Sequence, residues 1–175
     1  MLRGCSSELR IADAGFLRPR GPRQQNSRVV SQSFQRQTVP KIKRILETAL
    51  YVDDLEETAR FYEDVIGLNI MSRGDRLVAL DAGNGTVLLL FRRGATAEGV
   101  SFPGGRIPPH DGQGPAHFAF AVDAEDLEAW RDHLAESRCE IESEVAWDRG
   151  GSSLYFRDPA GHSVELATPG VWEVY

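Results

Sequence analysis

Three residues have the types and spacing for shared chemistry: Glu47, His117 and Glu165. Each interrupts a short apolar run. Glu47 opens Glu47-Thr48-Ala49-Leu50-Tyr51-Val52-Asp53, and His117 stands seventy residues on in Ala116-His117-Phe118-Ala119-Phe120-Ala121-Val122-Asp123. Aligning the two Val-Asp pairs superposes His117 on Glu47. A second pair of runs, Gly85-Thr86-Val87-Leu88-Leu89-Leu90 and Gly161-His162-Ser163-Val164-Glu165-Leu166, aligns on its glycines and superposes Glu165 on Leu89. The chain thus reads as one unit written twice, with the polar interruptions at corresponding places.

If the three side chains share one concavity, two carboxylates and an imidazole meet there. Carboxylates close together in a partly dry site repel, so a proton or a cation is needed between them. Glu, His and Glu form a donor set suited to a divalent metal ion (Mn, Fe, Zn, Ni or Mg), with the choice set by geometry and supply. Leu89 cannot ligate, which leaves coordination positions for substrate oxygens or water. Glu47 or Glu165 could also serve as the catalytic base.

The elements that must position these residues follow from periodicity. Strands are predicted at 45–52, 68–73, 76–82 and 86–92, with a helix from Asp53 or Asp54 to about Ile66 that Gly67 ends. A second set follows: a strand at 116–122, a helix at 124–137 with Leu127, Trp130 and Leu134 inward, then strands at 140–147, 152–157 and 162–167. Each half is strand-helix-strand-strand-strand, and the halves (45–92 and 115–167) form one domain over 41–170. They are joined by a Gly- and Pro-rich loop at 93–114, long enough to be functional or mobile. Alternation puts Leu46, Leu50 and Val52 on one face of the first strand, against Glu47, Ala49 and Tyr51. It likewise separates Phe118, Phe120 and Val122 from His117, Ala119 and Ala121, and Val164 and Leu166 from Ser163, Glu165 and Ala167. His133 is expected at the surface, His162 in a structural or exposed turn, and Arg157 in an ion pair holding the Asp158 turn.

Charge divides the chain. Residues 1–44 carry ten Lys or Arg against Glu8 and Asp13, whereas residues 45–175 carry ten Arg, no Lys and 24 acids. An acidic body argues against nucleic-acid binding, which relies on clustered positive charge. No apolar run is long enough to span a membrane. Cys5 and Cys139 suggest neither a disulfide framework nor a metal knuckle, so a cytoplasmic setting is expected. Residues 1–40 lack periodicity and read as a disordered basic tail, either a misassigned start with Val39 as the true initiation site or a targeting segment.

Residues 45–170 resemble the vicinal oxygen chelate superfamily of glyoxalases, bleomycin-resistance proteins and extradiol dioxygenases. The resemblance rests on Leu50-Tyr51-Val52-Asp53-Asp54-Leu55, Phe61-Tyr62, Gly67-Leu68, Gly114-Pro115-Ala116-His117-Phe118-Ala119-Phe120, and the closing run from Tyr155 to Leu166. It implies an α+β fold in which two βαβββ modules form an eight-stranded, incompletely closed barrel. It also implies metal ligands on the first and last strands of each module, at positions held here by Glu47, Leu89, His117 and Glu165. Leu89 departs from the four-ligand glyoxalase pattern, and a single His departs from the two-His, one-carboxylate dioxygenase pattern. Three ligands, as in the fosfomycin-resistance branch, are what the positions allow.

Two classes of function remain. One is a metal-dependent lyase or isomerase that chelates two neighbouring oxygens of a small molecule, ranked above an extradiol-type dioxygenase. The other is a metal-free protein that sequesters a small molecule or drug. In either case Tyr51, Leu89, His110 and Tyr155 are the expected substrate contacts, with His110 able to shuttle protons. The open edges of two half-barrels predict a homodimer.

Overall fold

A computed structural model describes residues 39–175, so residues 1–38 of the tail expected at 1–40 lie outside the described residues. Ile42–Tyr175 form one compact unit. The first module consists of β1 (Glu47–Val52), α1 (Leu55–Asp64), β2 (Asn69–Arg73), β3 (Leu77–Asp81) and β4 (Val87–Arg92). Two short strands follow, β5 (Val100–Phe102) and β6 (Gly105–Ile107). The second module consists of β7 (His117–Ala121), α2 (Leu127–Glu136), β8 (Ile141–Ala146), β9 (Ser152–Arg157) and β10 (Ser163–Ala167).

The duplication is structural as well as sequential. One four-stranded sheet has the order β1-β4-β3-β2 and the other β7-β10-β9-β8, each with a parallel pair between its first and last strands. Registers correspond: Ala49 opposes Leu89 in one sheet, and Ala119 opposes Glu165 in the other. The eight-stranded, incompletely closed barrel that the resemblance implies is not seen as one sheet. The described residues form two separate four-stranded sheets, with β1 and β7 left as edge strands, because strand pairing stays within each module.

Local chemistry explains the boundaries. Asp54 caps α1 by accepting the Glu57 N–H at 2.9 Å. Past its end Gly67 takes φ +81°, and the Leu68 N–H turns back to the Tyr62 carbonyl at 2.9 Å. The second helix starts later than predicted. Asp123 makes no side-chain cap, and residues Ala124–Asp126 wind as a tighter 3-10 turn before α2. Leu46 does not share the packing face as expected; it precedes β1 and is 59% exposed.

Leu50, Val52, Ala59, Tyr62, Leu80 and Leu90 of the first module join Leu134, Leu154, Phe156, Val164 and Leu166 of the second in one apolar cluster. Phe61 lies 6.3 Å from Phe156, and Tyr62 lies 6.2 Å from Phe118, ring centre to ring centre. The modules therefore share their packing faces, and the opposite faces are only partly covered: His117 and Ala119 are exposed, whereas Ser153 and Glu165 are buried. Among the described residues no helix is long and apolar enough to cross a membrane.

Candidate functional site

The partly covered face of the second sheet brings two of the predicted ligands together. His117 begins edge strand β7, and Glu165 lies mid-β10 in its interior. His117 Nε2 lies 3.3 Å from Glu165 Oε2; the Glu165 side chain is 8% exposed and the His117 side chain 52%. The other carboxylate oxygen is fixed by its neighbours on β9. Ser153 Oγ donates to Glu165 Oε1 at 2.5 Å, and the Tyr155 phenol donates to it at 3.0 Å. Burial, with the Glu165 hydrogen bond second, raises the Tyr155 pKa, so the phenol stays protonated and continues to donate. Tyr155 also stacks on the His117 ring at 6.0 Å.

The imidazole is oriented from behind. His117 Nδ1 lies 3.2 Å from the Ser163 carbonyl, which can only accept, so Nδ1 carries the hydrogen. In the neutral ring the Nε2 lone pair then faces a carboxylate oxygen, an arrangement that a shared cation relieves. Donors held at about 2.0–2.2 Å from one ion stand about 3 Å apart, so this pair has the right spacing. The backbone carbonyl behind the ring and the hydroxyls behind the carboxylate are the kind of outer support that metal ligands have. The pair thus supplies two donors at the spacing that ligands of one divalent ion take.

Glu47 does not join this pair within the chain. It is exposed at the start of β1, and among the described residues no group of three or more His, Cys, Asp or Glu side chains could hold a metal ion. In the pair itself only His117 is exposed, and Glu165 is buried. A cleft of about 370 Å³ between α1 and α2, lined by Val65, Ile66, Ala129, Trp130 and His133, is on a different part of the surface.

The first sheet carries the remaining candidates. Tyr51 hydrogen-bonds His110 Nδ1 at 2.7 Å, and Phe91 stacks on Tyr51 and meets His110 edge-on. Burial, then the charge of Asp111, raises the Tyr51 pKa, so the phenol is the donor. Leu89 is half-buried on the same face, opposite Ala49 and Ala79.

The segment that delivers His110 is more ordered than the predicted plain loop. It contains the β5–β6 hairpin, and it is pinned at both ends. Arg93 donates to Asp53 Oδ1 at 2.9 Å, to the Tyr51 carbonyl at 2.9 Å and to the Gly112 carbonyl at 2.5 Å. Buried Thr96 exchanges two hydrogen bonds with the His110 backbone. Gly112 lies flat on the Tyr51 ring, where a Cβ would come within 2.6 Å of Cδ2.

Other histidines and Arg157 are accounted for structurally. His133 is exposed, with Nε2 2.7 Å from the Val65 carbonyl. Arg157 pairs with Glu142 at 2.9 Å and donates to Gly161 in the Asp158 turn. His162 is 2% exposed, not at the surface. Ser153 was missed from the sequence, although its place two residues before Tyr155 on one strand puts it on the same face.

Known proteins share this fold and sequence pattern. The sequence profile described as Glyoxalase/Bleomycin resistance protein/Dioxygenase superfamily matches residues 44–166. A crystal structure of lactoylglutathione lyase from Agrobacterium tumefaciens superposes with TM-score 0.70 and 33% identity, over 77% of this chain and 99% of that one. The metallothiol transferase FosB of Staphylococcus epidermidis is 27% identical over 67% of this chain and 75% of its own length. The glutathione transferase FosA of Serratia marcescens is 28% identical over 67% of this chain and 74% of its own. The chain belongs to the Glyoxalase/Bleomycin resistance protein/Dioxygenase superfamily.

Proposed function

We propose that this protein is a divalent-metal-dependent enzyme acting on a small oxygenated molecule, with lyase or isomerase chemistry. The observation that carries the reading is His117 Nε2 set 3.3 Å from Glu165 Oε2, with both groups braced from behind. His117 and Glu165 would hold the ion, and Glu47 would be the third ligand. Bound there, the ion would polarise substrate oxygens and stabilise negative charge as it develops.

Because Glu47 lies apart from the pair, the three-ligand set is assigned to a homodimer. The edge strands β1 and β7 and the exposed Glu47 and His117 support this. Facing modules of two copies would close the eight-stranded barrel and bring Glu47 of one copy to the pair of the other. The substrate would then lie between unlike walls. One presents Tyr155 and Ser153 beside the pair; the other presents Leu89, Phe91, Tyr51 and His110. The Tyr51–His110 bond suits proton transfer, with the phenol taking a proton from substrate as it passes its own to Nδ1.

A second reading, transfer of a thiol to a small electrophile, is favoured by the names of the FosB and FosA relatives. The lactoylglutathione lyase neighbour is also named for a glutathione compound. Elemental analysis and sedimentation of protein purified without chelator test the proposal. We expect about one divalent ion per chain and a dimer. A metal-free monomer that still retains a small molecule would favour a sequestering protein instead.

A further inference from the structure

We infer that His162 is a positioning residue for His117. This rests on the metal reading above, but the contacts that carry it are independent of any ion. His162 lies in the turn between β9 and β10 and is 2% exposed. Its Nδ1 accepts the Ala116 N–H at 2.8 Å, so the neutral ring carries its hydrogen on Nε2. That Nε2 is buried with no partner among the described residues. An unmade buried donor is costly, and a turn that needed only filling could hold an apolar side chain there.

The bond at the other end is where the ring acts. Ala116 directly precedes His117, and it is gripped at both its backbone groups. Its N–H goes to His162 Nδ1, and its carbonyl accepts the Ser163 N–H at 2.8 Å. His117 then donates Nδ1–H to the Ser163 carbonyl at 3.2 Å. These three bonds fix where β7 begins on β10 and so where the His117 ring stands relative to Glu165. Without the first, the exposed Gly114-Pro115-Ala116 approach to β7 has nothing else holding the Ala116 N–H.

His162 is itself held from the first module. Its N–H donates to Asp158 Oδ1 at 2.8 Å, and the Tyr62 phenol of α1 donates to Asp158 Oδ2 at 2.8 Å. A buried chain of contacts thus runs from α1 through Asp158 and His162 to Ala116 and the site. Its end on an exposed His117 marks it as more than core filling.

Two variants of the full chain separate positioning from packing. His162→Asn keeps an acceptor at the Nδ1 position and loses ring volume; His162→Leu keeps volume and loses the acceptor. The probe is Mn²⁺ alone, titrated calorimetrically. The Leu variant should weaken Mn²⁺ binding by about 10–100-fold, as loss of an outer support does, with the Asn variant near wild type even if it melts lower. Equal affinities for the Leu variant and wild type, or equal losses for both variants, would overturn the assignment. If wild type binds no Mn²⁺ or Zn²⁺, the metal reading fails. The positioning claim is then read by ¹⁵N NMR of His117, which should keep its Nδ1–H tautomer in wild type and the Asn variant and lose it in the Leu variant. An unchanged tautomer in the Leu variant would sink the claim by itself.

Discussion

Leu89 and Glu165 hold the same place in two copies of one sheet. Leu89 lies opposite Ala49 and Ala79, and Glu165 lies opposite Ala119 and Tyr155. The first module is apolar where the second is polar: Leu77 corresponds to Ser153, and Ala79 to Tyr155. On the proposed function, the polar wall of the second module would hold the ion and the apolar wall of the first would meet the rest of the substrate.

That relationship makes Leu89→Glu informative. Without metal, a carboxylate there would have no hydroxyls behind it and should cost about 1–3 kcal/mol of stability in a urea titration. With Mn²⁺ in excess the variant should recover, because an added carboxylate ligand should tighten binding by about tenfold. Equal Mn²⁺ affinity in variant and wild type would place Leu89 away from the ion.

Gly112→Ala tests the anchored loop. The new methyl would meet the Tyr51 ring at 2.6 Å, and the ring is already packed against Phe91. Overpacking of this kind costs about 1–3 kcal/mol. Limited proteolysis should cut within 93–114 faster than in wild type, while the core sheets stay intact. Unchanged cleavage would mean that the loop does not depend on this contact.

The fold was legible because periodicity, caps and turn glycines agreed. Gly67, Gly83 and Gly85 take the positive φ their turns require, and most strand limits fall within two residues of expectation. What escaped depended on distant contacts. The β5–β6 hairpin has no alternation to announce it, and its place follows from Arg93 and Thr96 reaching over to Tyr51 and His110. His162 looked like a turn residue because its partners, Ala116 and the Asp158–Tyr62 pair, are far off in sequence. The His117–Glu165 pair was visible in the repeat. The separation of Glu47 was not, because the repeat says nothing of which modules face each other.

Tyr62 gives the stability a dependence on alkaline pH. Its phenol is buried against Asp158, and burial, then the neighbouring carboxylate, pushes its pKa far above the usual value. A raised pKa in the folded state contributes stability that is full below the unfolded value of about 10 and is lost as pH rises toward the folded value. Urea melts should therefore show stability falling above about pH 10 in wild type. Tyr62→Phe should be less stable at pH 8 by about 1–3 kcal/mol, since Asp158 loses a donor, and should fall less steeply on the alkaline side. Parallel pH profiles would contradict this.

On the proposed function, His117 and Glu165 hold a divalent ion. The most direct test of this is thermal melting of wild type, His117→Ala and Glu165→Gln, each with excess Mn²⁺ and with chelator. At a hundredfold excess over Kd the ion should stabilise wild type by about 2.7 kcal/mol, a rise of about 5–10 °C. Both variants should fold, because His117 is exposed and the Glu165→Gln amide would keep an acceptor for Ser153 and Tyr155, and both should lose most of that rise. A wild type whose melting is the same with Mn²⁺ and with chelator, together with a Glu165→Gln variant as stable or more stable, would mean that the pair holds no ion.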